Sequence, residues 1–267
     1  MISVTSNNNI TFNANLKSQV LKLNRKDFYI KIQGYGKNPL WATLVKNTTD
    51  TSVNLIRKNT SGENVLKYIV AGVTTANHTT SDTLKGIYTG QLRTQRKDWR
   101  DSDFDRDICT GYEKGRYSGY KKRLDNIYIN PIKRIKKDLA ISRPNRYQDI
   151  EHGEPEFINN SLDYIFDLFK NKYSKFLNKN VKQEDLPEII DVIAEIRWVL
   201  AHATPWLRGS DAISNVFMRA MFKAVGVKAY PPAKNISYDL EAYCRNLDDY
   251  KANFNSFFEK PLKVVEK

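Results

Sequence analysis

The sequence predicts an α+β fold in which helices predominate and a β-rich part precedes them. Three observations carry this. Between residues 27 and 95, short β-friendly runs (DFYIKI, LWATLVK, SVNLIRK, VLKYIVAGV) alternate with Gly, Asn and Thr clusters, the pattern of strands joined by hairpins and loops. After Pro155 the apolar period changes to that of helices. At 267 residues, 40% hydrophobic and 12% aromatic, the chain has enough apolar surface for one substantial core and too much for a disordered polymer. The organisation read from composition is a flexible leader (1–25), a β-rich and basic segment (26–145) and a helical core (146–267), with one compact domain from about 26 to 260.

The leader is rich in Ser, Thr and Asn and has no acid in its first twenty residues, so it offers little to bury. That composition suits a frayed terminus and equally an unstructured secretion signal. Three helices follow the basic segment. Leu162, Ile165, Phe166, Phe169, Tyr173, Phe176 and Leu177 fall on one face, with Ser161 as a plausible cap. A second helix opens at Pro187, where a missing N–H has no helical partner to lose, and carries Ile189, Ile193, Ile196 and Leu200. A third places Ile213, Val216, Phe217, Ala220, Met221 and Ala224 together and stops at Gly226.

Charge narrows the partners. Lys and Arg number 43 against 30 Asp and Glu, a net +13 that favours anions: nucleotides, nucleic acid or acidic lipid. Residues 85–146 hold 17 of the cations against 8 acids, interleaved with Tyr112, Tyr117, Tyr120 and Tyr128. Such a mixture serves to stack bases and hold phosphates, or is a solvated basic loop whose tyrosines cover the core. Two cysteines, Cys109 and Cys244, exclude a disulfide scaffold and a thiolate zinc site; no metal site is expected. No apolar run is long enough for a membrane span or a signal peptide.

The sharpest local feature is ATPWLRGSDAISN (203–215), between the second and third helices. Arg208, Gly209 and Ser210 stand just before a helix, where unsatisfied N–H groups and the dipole favour an anion; Gly209 permits close approach and Ser210 can cap. Arg208 adds a two-pronged donor for phosphate and Trp206 a flat surface for a ring, although a capped helix with a surface arginine has the same spacing. GxxxxGK[ST], GxGxxG, HExxH and GxSxG are all absent, so P-loop, dinucleotide, zincin and serine-hydrolase chemistries find no support. Of the three histidines (78, 152 and 202), His152 in the loop DIEHGEP is the freest to meet a ligand. Asp239, in NISYDLEAY, is placed to return to the same helix end or to cap a last short helix.

Five blocks in order, IAEIRW (193–198), RGS (208–210), VGVKAYPP (225–232), SYDLEAY (237–243) and YKANFNSFFE (250–259), resemble the C-terminal part of the AvrB/AvrC avirulence-effector family, which is related to the Fic and Doc proteins of the Fido fold. Weaker similarity reaches back through RYQDIEH (146–152). The resemblance implies a Fido helical core that binds a nucleotide or nucleotide sugar and transfers a deoxysugar such as rhamnose to a Ser or Thr hydroxyl of a host protein. It carries Arg208 over as the phosphate-gripping arginine, with Gly209 and Ser210 beside it. Asp239 and His152 match its functional acid and histidine, Arg146 its Arg-Tyr pair with Arg143 as a competitor, and Thr89 or Tyr88 falls near its upstream nucleotide-contacting loop.

The Fic signature HPFx[DE]GNGR is missing its His, its GNG and its last Arg in TPWLRGSDA, which disfavours standard adenylylation, and His202 is two positions too early to replace the base. No cofactor is implied beyond a donor substrate, a dTDP- or UDP-linked deoxysugar. The competing readings are a non-catalytic adaptor that binds a nucleotide or peptide and alters host kinase signalling, an AMPylation-type nucleotidyl transfer, and, last, nucleic-acid binding. The expected location is the cytosol of a host cell after type III secretion. The chain begins Met1-Ile2-Ser3, without the Gly that N-myristoylation needs, so membrane contact is expected only as weak attraction to anionic lipid.

Overall fold

The computed structural model describes residues 21–29, 38–81, 88–95, 118–144 and 150–265. Eight helices stand among them: α1 (Pro39–Arg57), α2 (Gly62–Thr80), α3 (Ser118–Ile129), α4 (Pro155–Leu168), α5 (Leu186–Ala203), α6 (Ser210–Ala224), α7 (Tyr238–Tyr243) and α8 (Leu247–Asn253). Among the described residues, strands are limited to two antiparallel pairs of two residues each, β1 (Arg143–Pro144) with β2 (Ile150–Glu151) and β3 (Val227–Lys228) with β4 (Lys263–Val264).

The expected β-rich N-terminal part is therefore corrected: LWATLVK, SVNLIRK and VLKYIVAGV lie in α1 and α2. Local β-propensity is overridden by caps and by a helical period of burial. Asn38 accepts a hydrogen bond from the Trp41 N–H at 3.0 Å, with Pro39 in the first turn, and Ser61 accepts one from the Asn64 N–H at 3.4 Å. The buried positions Ala42, Val45, Thr49, Val53 and Ile56 of α1, and Val65, Ile69, Val73 and Ala76 of α2, recur every three or four residues. Polar members of the α1 stripe are tolerated because their hydroxyls bond back one turn, Thr49 to the Val45 carbonyl at 2.8 Å and Ser52 to that of Thr48 at 2.7 Å.

The three expected helices are present. α4 begins at Pro155, earlier than expected, and its apolar face continues through a π turn (Phe169–Tyr173) and a 3-10 turn (Ser174–Phe176). Ser161 is not a cap: it is buried within α4, its hydroxyl accepting from the Ala140 N–H and donating to the Phe157 carbonyl. α6 packs between the α1–α2 hairpin and α5, α4 covers another side of α5, and α7 and α8 cover a third. Every residue of α5 from Val192 to Ala203 is buried, Glu195, Arg197 and His202 included.

A helix buried all round must satisfy its polar side chains internally. Glu195 accepts from the Tyr164 hydroxyl on α4 and from Lys251 Nζ on α8 at 2.6 Å. Arg197 is ion-paired with Asp211 on α6 and donates from Nε to Asn215 at 3.2 Å. His202 Nδ1 accepts from the Ser142 N–H at 3.3 Å, so Nε2 carries the proton that meets the Ala242 carbonyl at 3.2 Å, at the end of α7. Burial pushes the His202 pKa down to about 3, so the imidazole is neutral and structural.

The basic α3 is clamped by one carboxylate. Glu241 on α7 accepts two bonds from Arg123 at 2.8 Å each, one from Tyr120 at 2.8 Å and one from Arg245 at 3.0 Å. Burial alone would raise its pKa; these donors outweigh that and hold it below the ordinary carboxylate value. Tyr120 thus covers the core instead of stacking bases, whereas Tyr128 is 51% exposed. Tyr112, Tyr117 and Cys109 lie outside the described residues, and Cys244 is a free, half-buried thiol.

A neutral His202 must gain a proton only on unfolding, so its contribution is complete above pH 6.5 and is lost as pH falls towards about 3. Urea unfolding at pH 7 and pH 5 should show His202→Gln losing less stability on acidification than the wild type, by at most about 2 kcal/mol. Equal losses in the two proteins would contradict the buried neutral imidazole.

Candidate functional site

Of the candidate residues, Thr89, His152, Arg208, Gly209 and Ser210 come together where α5 ends and α6 begins. α5 is closed by Thr204, whose φ of 39° turns the chain out of the helix, and the segment to Arg208 then runs beside residues 89–93. Gly90 N–H donates to the Arg208 carbonyl at 3.2 Å, Leu207 N–H to that of Gln91 at 2.9 Å, and Arg93 N–H to that of Pro205 at 2.8 Å. The buried Arg93 side chain fastens the turn further, donating from Nε to the Thr204 carbonyl at 3.1 Å. Backbone pairing of this kind sets a loop position more firmly than side-chain contacts.

Thr89 lies directly beside Arg208 in this pairing. Thr89 is 2% exposed and is held from below: Trp41 Nε1 donates to Asn77 Oδ1 at 2.6 Å, Asn77 Nδ2 to Thr89 Oγ1 at 2.8 Å, and Thr74 Oγ1 to the Thr89 carbonyl at 3.3 Å. The α1–α2 hairpin therefore buttresses the loop that carries Arg208. Tyr88 and Arg208 are half-buried.

Gly209 is the N-cap of α6, with φ of 86°, and a Cβ there would come within 2.8 Å of Thr89 Cγ2. Both the conformation and the space demand glycine. Ser210 is the first residue of α6 and not its cap; its hydroxyl folds back to the Trp206 carbonyl at 2.9 Å and accepts from the Trp206 N–H at 3.2 Å. Trp206 itself is 4% exposed and belongs to the core, so the expectation that it offers a face to a ligand ring is corrected. Apolar burial outweighs display for so large a ring.

His152 approaches from the β1–β2 ribbon, in which Arg143 stands opposite Glu151. Its Nδ1 lies 2.6 Å from Thr204 Oγ1 and 3.4 Å from Ser142 Oγ, so it is tied to the turn that precedes Arg208. Arg143 is exposed, while Arg146 and Tyr147 lie outside the described residues. Asp239, the second residue of α7 and half-buried, is not the cap of that helix; the cap position belongs to Ser237, whose hydroxyl donates to Asp239 Oδ1 at 2.5 Å. The Leu240 N–H also meets Oδ1, at 2.8 Å. Asp239 acts electrostatically on Arg197, which is bound to Asp211 in the first turn of α6. Asp211 is thus an acid at the mouth of α6 whose charge is compensated from beneath.

Sequence reading missed Thr204, Arg93, Asn77, Arg197 and Asp211. One signal for Arg197 was present: an arginine between Ile196 and Trp198 in an otherwise apolar helical run has to find an internal partner. A separate depression of about 340 Å³, lined by Pro187, Ile190, Asp191, Asp248, Lys251 and Ala252, sits at the other end of α5. It shares no residue with the cluster described here. No described helix is long and apolar enough to cross a membrane, and the described residues hold no group of three or more His, Cys, Asp or Glu arranged to take a metal ion.

Comparison with known families matches the AvrB_AvrC avirulence-protein family model to residues 113–261. A search of curated proteins finds no match.

Gly209→Ala should destabilise the protein by about 1–2 kcal/mol, from the left-handed conformation, and more if Thr89 cannot yield. The double variant with Thr89→Ser, which removes the opposing methyl, should recover part of that loss in chemical unfolding. No recovery would mean that the Thr89 contact is unimportant.

Proposed function

This chain belongs to the AvrB/AvrC avirulence-protein family, and from that premise we propose a bacterial effector that binds a nucleotide diphosphate sugar and moves its deoxysugar to a Ser or Thr hydroxyl of a host protein. The observation that carries the reading is the backbone pairing of Thr89 with Arg208 at the start of α6, which joins two stretches far apart in sequence, both of which the family resemblance expects to touch nucleotide. A Fido-type core is part of the same proposal.

In this reading the diphosphate lies against Arg208 and the first turn of α6, where a guanidinium and helix-end amides meet negative charge. The acceptor oxygen attacks the anomeric carbon, the bond from that carbon to the phosphate oxygen breaks, and the diphosphate departs with the electron pair. Arg208 stabilises the charge that grows on the leaving oxygen. The acceptor proton passes to the Asp239 carboxylate, which also steadies cationic character on the sugar. His152, hydrogen-bonded to the Thr204 turn, orients the loop and the substrate, with the exposed Arg143 and the half-buried Tyr88 at its rim. An adaptor would need only the binding half of this arrangement.

The test uses purified protein, dTDP- and UDP-linked deoxysugars and host lysate. The wild type should show a ligand-dependent rise in Tm, and intact-mass analysis of acceptor proteins should reveal an added deoxysugar. Arg208→Ala should abolish the Tm rise and lower kcat/KM by roughly 10²-fold or more. Asp239→Asn should keep the Tm rise and lower kcat by roughly 10²-fold or more. A Tm rise with no added mass in any acceptor would favour the adaptor; unchanged binding and transfer in Arg208→Ala would overturn the phosphate assignment.

A further inference from the structure

Beneath the α6 start lies a second polar cluster that the proposed transfer does not use. Asp211, Asn215 and Arg219 follow one another at four-residue spacing and so form one row along α6. Arg197 lies across the first two, bound to Asp211 and Asn215, which puts its guanidinium one turn from Arg219. Arg219 is 3% exposed, and its Nη2 bonds to backbone: it donates to the Asp27 carbonyl at 2.8 Å and to that of Tyr230 at 3.4 Å. Its guanidinium rests 5.0 Å from the Phe28 ring centroid. Tyr238, also 3% exposed, faces this row from α7, with Arg197 5.9 Å from its ring centroid and its hydroxyl in the field of both arginines.

Three buried polar atoms of this cluster, Arg197 Nη1, Arg219 Nη1 and Tyr238 Oη, have no hydrogen-bond partner among the described residues. Buried donors are met by protein, water or an ion in nearly all folded proteins. These three together ask for a group that only accepts: two are cationic N–H donors and the third is a phenol free to donate. Asp211 and Asp239 both act on Arg197, whereas Arg219 has no carboxylate within ion-pair distance among the described residues and feels Asp27 only through space. An acceptor bearing negative charge answers that imbalance; a water molecule answers only the missing hydrogen bonds.

We propose that Arg197, Arg219 and Tyr238 form an internal binding site for one small inorganic anion, chloride-sized to phosphate-sized, enclosed between α5, α6 and α7. The occupant would hold together the roots of two functional segments, since Arg197 anchors Asp211 at the mouth of α6 and Tyr238 directly precedes Asp239. It does not depend on the nucleotide-sugar reading.

The test is thermal unfolding of the full chain at constant ionic strength, with chloride or phosphate replacing gluconate, which is too large for an enclosed site. The wild type should gain Tm with chloride or phosphate in a saturating manner. Tyr238→Phe, which removes one donor and keeps the ring, and Arg219→Met should each lose at least half of that gain. Broadening of the ³⁵Cl resonance by wild type, reduced in Tyr238→Phe, would agree. Identical Tm in gluconate, chloride and phosphate would overturn the site in favour of water; so would a gain that persists undiminished in Tyr238→Phe, which decides the matter should Arg219→Met not fold.

Discussion

The architecture depends on burying α5 on every side although it carries a carboxylate, a guanidinium and an imidazole. Removing such groups from water costs several kcal/mol each unless partners meet them, so the neighbours are constrained to supply partners at set places. Glu195 draws in α4 and α8, Arg197 fixes α6, and His202 takes one bond from the loop at Ser142 and gives one to the end of α7. Apolar packing would tolerate some sliding and rotation of α5. Three directed interactions to different elements leave one rotation and one register.

That constraint passes to the candidate site. Because α5 cannot slide, the place where it ends at Thr204 is settled, and the turn towards Arg208 starts from a known point. The turn is then gripped from two sides, by His152 through Thr204 and by the strand-like stretch at Thr89, which the α1–α2 hairpin supports through Asn77 and Trp41. Arg208 is positioned by its backbone, which keeps a flexible side chain's root in place whatever the side chain meets.

Legibility in the sequence followed how local each determinant was. The helices α4, α5 and α6 were readable because their apolar period repeats over three or more turns, and α5 and α6 were bounded by Pro187 and Gly226. α1 and α2 were misread because Val, Ile and Thr weigh towards strands in short windows, whereas caps at Asn38 and Ser61 and the shared α1–α2–α6 interface decided for helix. Arg208, Gly209, His152 and Asp239 were nameable as residue types in motif-like settings. The burial of Trp206 was not, since an indole before a helix looks the same in sequence whether it faces a cleft or the core.

From the order of residues alone came a basic, largely helical chain, the break at Gly209 and the family likeness, because each is a property of composition or of neighbours within a few turns. Tertiary structure alone decided that residues 89–93 pair with 205–208, that Glu241 clamps α3, and that Arg197 comes to rest beside the Tyr238 ring behind α6. These join positions tens to more than a hundred residues apart, and such contacts arise only when the whole core closes and every buried charge must find its partner at once.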